Sequence, residues 1–101
     1  MHRQYEFQFE WDHVKARGNA KKHRVAFERA ATVFQDPSAL SQFDVHHSEY
    51  EDRWVTLGLD AAGIPLVVCH TFQEQGPGSA RIRIFSARKA TQSETKQRGR
   101  S

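Results

Sequence analysis

The stretch Arg53-Trp54-Val55-Thr56-Leu57-Gly58-Leu59-Asp60-Ala61-Ala62-Gly63-Ile64-Pro65-Leu66-Val67-Val68-Cys69-His70-Thr71-Phe72 decides the fold. Two runs rich in Val, Leu, Ile and Thr, residues 53–59 and 64–72, flank the step Asp60 to Gly63, which reads as a hairpin turn. Pro65 fits there only near a strand start, where its missing N–H is not needed. Downstream, residues 73–79 predict a second turn, after which Ile82, Ile84 and Ser86 alternate with Arg81, Arg83 and Phe85. The three runs make an antiparallel meander. Upstream, residues 39–44 are a further strand-like piece, joined to the meander by the acidic link His46 to Glu51, expected as a mobile loop.

The N-terminal half changes period. Tyr5, Phe7, Phe9 and Trp11 alternate with Glu6, Gln8 and Glu10, which predicts a half-buried strand over residues 4–10. Asp12 then stands where a helix N-cap belongs, and residues 12–23 read as a helix weakened by Gly18. Phe27, Ala30, Ala31 and Phe34 fall at i, i+3, i+4 and i+7, an amphipathic helix that Asp36-Pro37 terminates. Ala26 and Arg29 occupy the places where a capping box would want a hydroxyl and a Glu. Thr91-Gln92-Ser93-Glu94 has that spacing and opens a short helix running out into the basic tail Lys96 to Ser101. The expected architecture is α+β: strand, two helices, about four antiparallel strands and a short C-terminal helix, as one domain over residues 1–101.

Composition bounds the function. A chain of 101 residues and 11.6 kDa supports a single core, and its 38% hydrophobic content is lean but carries seven Phe, two Trp and two Tyr. No apolar run approaches the roughly 20 residues that span a bilayer, and Met1-His2-Arg3-Gln4-Tyr5 lacks the apolar core of a signal peptide. The expectation is a cytoplasmic protein without membrane contact. Cys69 alone permits neither an internal disulfide nor a cysteine zinc cage, and reads as a buried small hydrophobe. The net charge of +3 divides unevenly: residues 1–24 carry +3, residues 25–78 carry −6 and residues 79–101 carry +6. Basic ends brought together would form a cationic surface for a polyanion, with the acidic middle facing another partner. The alternative is an ordinary solvated charged surface.

Several side chains could carry chemistry. Arg81 and Arg83 project from one face of the last strand, with Arg88 and Lys89 expected just past its end. The planar guanidinium fork suits phosphate. Asp12, Lys15, Asn19 and Lys22 share one helix face with His23 beside them, a stripe that is usually water-facing. His70 has the parity of Leu66, Val68 and Phe72, so it is either a satisfied core histidine or an inward-opening acid/base group. Trp54 either stacks on a base or joins the core, and Arg53 either pairs with Glu51 or Asp52 or points into a groove. His46 and His47 read as solvated, and with Glu49 they supply too few firm ligands for zinc. No paired carboxylates stand at a spacing that would hold Mg²⁺ near a phosphate, so no metal or cofactor is expected.

Phe9-Glu10-Trp11-Asp12, Lys15, Asn19, Lys22-His23, Val25, Phe27, Ala30, Phe34, Asp36-Pro37, Arg53-Trp54, Gly58, the run Arg83 to Thr91 and Glu94 together resemble the BrnT family, over residues 7 to about 96. The resemblance implies a RelE-like fold and a ribonuclease toxin of a bacterial type II toxin-antitoxin module, which stops translation by cleaving RNA. It also implies a BrnA-like antitoxin partner with a ribbon-helix-helix DNA-binding segment, operator DNA being reached only through that complex. Three positions depart from the family: Arg24 stands where Gly is usual, Ala26 where Ser is usual, and Gln97-Arg98-Gly99 where a tyrosine often follows the last helix. The last removes one candidate catalytic hydroxyl.

RNA cleavage without a metal asks for a group to take the 2′-OH proton, cations for the phosphorane and an acid for the leaving oxygen. On the toxin reading Arg83 and Arg88 hold the scissile phosphate, Lys22 assists and His23 or His70 moves protons. Arg53, Trp54, Arg81 and Lys89 contact the RNA. The alternative is a non-catalytic nucleic-acid-binding or antitoxin-binding protein, an inactive toxin relic.

Overall fold

The expected hairpin is present, and Asp60 builds its turn: one carboxylate oxygen accepts the Ala62 and Ile64 N–H groups at 2.8 and 2.9 Å, while the other accepts from Arg29 at 2.8 Å. Gly63 closes the turn at a φ of +81°, a conformation that costs other residues a Cβ clash. The computed structural model describes residues 5–99. Strand β3 is Arg53–Leu59 and β4 is Pro65–Thr71, antiparallel with Trp54 opposite His70 and Thr56 opposite Val68. Outside β3 lies β2, Leu40–Phe43. On the other side of β4 runs the long strand β6, Ser79–Lys89, which β1, Glu6–Glu10, joins in parallel. Among the described residues this gives a mixed α+β fold with a six-stranded sheet ordered β1-β6-β4-β3-β2, the short β5, Gln73–Gly76, pairing with the start of β6.

Two expectations are corrected here. Most of residues 73–79 is strand; only Pro77-Gly78 turns, between glycines at φ +131° and +73°. Gln and Glu are weak strand formers, but the hairpin aims this segment along β6, where Gln73 faces Arg81 and Glu74 faces Ala80. Strand β6 also runs through Lys89, so Arg88 and Lys89 belong to the sheet rather than following it. The link from residue 46, expected as a mobile loop, begins within a 3₁₀ turn, Val45–His47, and the Ser48 hydroxyl ties Asp44 to Arg53. The start of the first strand at residue 4 and the end of the basic tail lie outside the described residues.

Helices cover one face of the sheet. Helix α1, His13–His23, starts as expected at Asp12, whose carboxylate accepts the Val14 N–H at 2.9 Å. Helix α2, Phe27–Thr32, tightens into a 3₁₀ turn over Val33–Gln35, shorter than the periodicity to Phe34 suggests. Val25, Phe27, Ala30 and Val33 pack on Leu66, Val68, Ile82, Ile84 and Ala87, with Phe7, Phe9, Trp11 and Phe34 around the rim. A Cβ on Gly58 would lie 2.8 Å from Val33 Cγ1, so the missing side chain is what lets this turn rest on β3. Helix α3, Gln92–Arg98, opens with the expected capping box at Thr91 and lies on the opposite face; Glu94 and Gln97 border a hollow floored by Leu40, Val55, Leu57 and Val67.

Asn19 overturns the water-facing reading of its stripe. Beyond the pair Glu10–Arg83, β1 no longer covers β6, and α1 takes its place at the strand edge. The buried Asn19 amide accepts the Ala87 N–H at 3.0 Å and donates to the Ala87 and Val25 carbonyls, both at 2.9 Å. It thus gives a sheet edge the two hydrogen bonds that a neighbouring strand would provide.

Candidate functional site: an arginine face around Phe85

His70 pairs with Ile84 but Cys69 pairs with Ser86, so β6 carries one extra residue, Phe85. Such a bulge shifts the alternation by one. Ala80, Ile82 and Ile84 face the core before it and Ala87 after it. Arg81, Arg83 and Arg88 therefore share the face away from α1 and α2, although Arg83 and Arg88 differ in parity. Lys89, paired with Leu66, has the opposite orientation. Cys69 is only half-buried, on the same side as the arginines, which corrects the core reading.

The Phe85 ring gathers three cations. Arg53 Cζ lies 4.2 Å from its centroid, Arg83 Cζ 5.2 Å and Lys15 Nζ 5.3 Å, distances at which a ring's negative face attracts positive charge. The N-terminal helix and the C-terminal strand do bring basic residues to one place. Glu51 joins them from the acidic link: Arg83 Nη2 donates to its Oε2 at 2.6 Å, and Arg53 Nη2 stands 3.6 Å from Oε1. Asp12, Lys15, Glu51, Arg53, Arg83 and Phe85 line a cleft of about 260 Å³, beside a second one that Arg81 enters. The Nε atoms of both Arg53 and Arg83 are buried without a hydrogen-bond partner. Uncompensated buried donors are uncommon, and here both belong to guanidiniums that lie over Phe85.

Arg88 is on this face but committed elsewhere. Its two Nη groups grip both Glu94 oxygens at 2.9 and 2.8 Å, tying α3 to the sheet. The Arg88 hydrogen bond, followed by that from the Thr91 N–H, holds the Glu94 carboxyl at about 2, well below its ordinary 4.5. Lys22 is exposed and His23 half-buried. Neither reaches the Phe85 cluster; with Lys15 at Phe85 and Asn19 at Ala87, the run of α1 carries both toward the Arg88–Lys89 end of β6.

The structure does not bring His70 or Trp54 to the arginines. Both face the helix side, where Trp54 packs on Phe43 and lines an apolar cleft with Phe7, Phe34 and Phe72. His70 is 2% exposed, with Nδ1 2.8 Å from the Thr71 carbonyl and Nε2 2.6 Å from Thr56 Oγ1. A carbonyl only accepts, so Nδ1 carries the hydrogen, Nε2 accepts from Thr56, and Thr56 accepts from Ser41 at 2.7 Å. Burial lowers the imidazole pKa, more than the Thr71 bond raises it, and the ring is neutral. This is the satisfied core histidine.

Glu51 pairs with Arg53, one of the two partners expected, whereas sequence reasoning missed Phe85 as a hub and Glu51 as the partner of Arg83 as well. The i, i+2 spacing of Glu51 and Arg53 was the available signal, since it puts the two on one side of an extended chain.

A family described as "Ribonuclease toxin, BrnT, of type II toxin-antitoxin system" matches residues 11–94. No curated protein matches the chain. Among solved structures, the chain is similar to the crystal structure of the Brucella abortus ribonuclease toxin, BrnT, with a TM-score of 0.56 and 22% identity, covering 86% of this chain and 99% of that one. At that identity the likeness speaks to the fold.

Proposed function

The chain belongs to the BrnT family of ribonuclease toxins of type II toxin-antitoxin systems, and from that premise we propose that it is a metal-independent endoribonuclease that arrests growth from the arginine face of its sheet. The observation that carries this reading is the convergence of Arg53, Arg83 and Lys15 on the Phe85 ring beside an open cleft. A scissile phosphate seated there would offset its growing charge against Arg53, Arg83 and Lys15. Arg81 on one side, and Lys22 and His23 toward the other, extend a cationic track for the flanking RNA backbone. Arg88 serves this site by fixing α3 through Glu94, and His70 serves it by joining β2, β3 and β4 through Thr56 and Ser41.

Membership of a type II family implies a protein antitoxin. We take it to be BrnA-like, masking the arginine face and carrying the complex to operator DNA. Among the described residues no helix is long and apolar enough to cross a membrane, in keeping with an enzyme that meets RNA in the cytoplasm.

The test is Arg83→Ala. Cleavage of RNA by the purified chain is expected to fall by at least about 100-fold, while salt-sensitive binding remains measurable. Expression of the wild-type chain alone should arrest growth and expression of the variant should not. A folded wild-type chain that binds RNA without ever cutting it would favour a binding protein instead.

A further inference from the structure

We propose that Glu51 is the general base that takes the 2′-OH proton, an assignment that rests on the ribonuclease reading above. The cleft around Phe85 is rich in donors and poor in acceptors: Lys15, Arg53 and Arg83 only donate at neutral pH. Of the two carboxylates that line it, Asp12 is engaged in capping α1 through the Val14 N–H. Glu51 is the other, and His70 lies across the sheet.

Its placement suits the role. Arg83 contacts Glu51 through Nη2 at 2.6 Å, and a guanidinium carries five N–H donors, so one side chain can position the base and still offer a donor to the phosphate. Arg53 Nη2 stands 3.6 Å from the other carboxylate oxygen, an ion pair that holds Glu51 from a second side. A carboxylate has about four lone-pair sites, so both contacts leave room for the 2′-OH proton. Base and phosphate clamp thus share the side chains of one cleft, which is the proximity that proton abstraction beside a bound phosphate requires.

The step balances without a further reagent. Glu51 accepts the 2′-OH proton as the 2′-oxygen forms its bond to phosphorus. The bond from phosphorus to the 5′-oxygen breaks, and that oxygen takes a proton from water on the open face. The products are a 2′,3′-cyclic phosphate and a 5′-hydroxyl, and Glu51 returns its proton to solvent.

Glu51→Gln keeps the side-chain shape and removes the base. Cleavage is expected to fall by about 10²- to 10⁴-fold. Binding of an uncleavable RNA with 2′-deoxyribose at the scissile position should be unchanged or tighter, since a negative charge has left the cleft. Glu10→Gln and Asp52→Asn, from the neighbouring cleft, should retain most of the activity. Wild-type products should carry the cyclic phosphate. Equal or faster cleavage by Glu51→Gln would overturn the assignment and make Glu51 a competitor for the arginines. Products ending in a 3′-hydroxyl would overturn it too. If Glu51→Gln still cuts while Arg83→Ala does not, only the assignment fails; if the wild type never cuts, the ribonuclease reading fails with it.

Discussion

Asn19→Ala should be the most damaging single truncation on α1, although sequence alone places this polar residue on a solvated face. The residue is only 7% exposed, and its side chain satisfies the Ala87 N–H, the Ala87 carbonyl and the Val25 carbonyl at once. Each buried backbone group left without a partner costs about 1–3 kcal/mol. Partial entry of water brings the sum to about 3–5 kcal/mol, a large share of the roughly 5–15 kcal/mol that holds a domain of this size together. At about 4–8 °C per kcal/mol the midpoint should drop by roughly 12–40 °C in thermal unfolding followed by circular dichroism. Asn19→Asp tests the direction of the bonds. The new carboxylate would face the Val25 and Ala87 carbonyls, which disfavours its charged form and raises its folded pKa above the unfolded value of about 3.9. The deficit relative to wild type is then full above the folded pKa and shrinks as pH falls toward the unfolded one, where a protonated oxygen can donate again. A midpoint for Asn19→Ala within about 4 °C of wild type would refute the view that this amide closes the edge of β6.

The helix junction offers the opposite outcome. Arg24 ends α1 in the left-handed region at φ 58°, and the α2 N-cap Ala26 makes no side-chain bond, so Arg24→Gly should stabilise by about 1 kcal/mol and Ala26→Ser by about 0.5–2 kcal/mol. The double variant should melt about 6–24 °C higher; an unchanged midpoint would mean that surrounding contacts already compensate both positions. Acid should loosen α3. Glu94 is held at about 2 against an ordinary 4.5, so its stabilising contribution is complete above the ordinary value and is lost as pH falls through about 2. Amide exchange of residues 92–98 should accelerate across that window in wild type, and Glu94→Gln should be fast throughout; a wild-type profile flat with pH would contradict the Arg88–Glu94 tether.

What the sequence made legible was whatever depends on near neighbours. The span of β3, the Asp60 turn, the Asp12 cap, the Thr91 capping box and the inward parity of His70 all follow from residues within a few positions of one another. What stayed hidden depends on pairing across the fold. Strand β5 is written in Gln and Glu and exists because the hairpin lays it along β6. Asn19 is buried because β1 ends at the level of Arg83 and leaves an edge for α1 to close.

The Phe85 bulge is the decisive case. Counting by twos from Arg81 sends Arg83 outward and Arg88 into the core, a buried charge that would cost several kcal/mol unless paired. No residue inside Ile84-Phe85-Ser86 announces otherwise; the register against His70 and Cys69 does. That one extra residue sets Arg88 on the open face for Glu94 to hold, while the displaced Phe85 ring becomes the floor on which Arg53, Arg83 and Lys15 meet. The cationic site keeps the parity set at Arg81, and the anchor of the C-terminal helix joins it on the same face because β6 breaks its own alternation between Arg83 and Arg88.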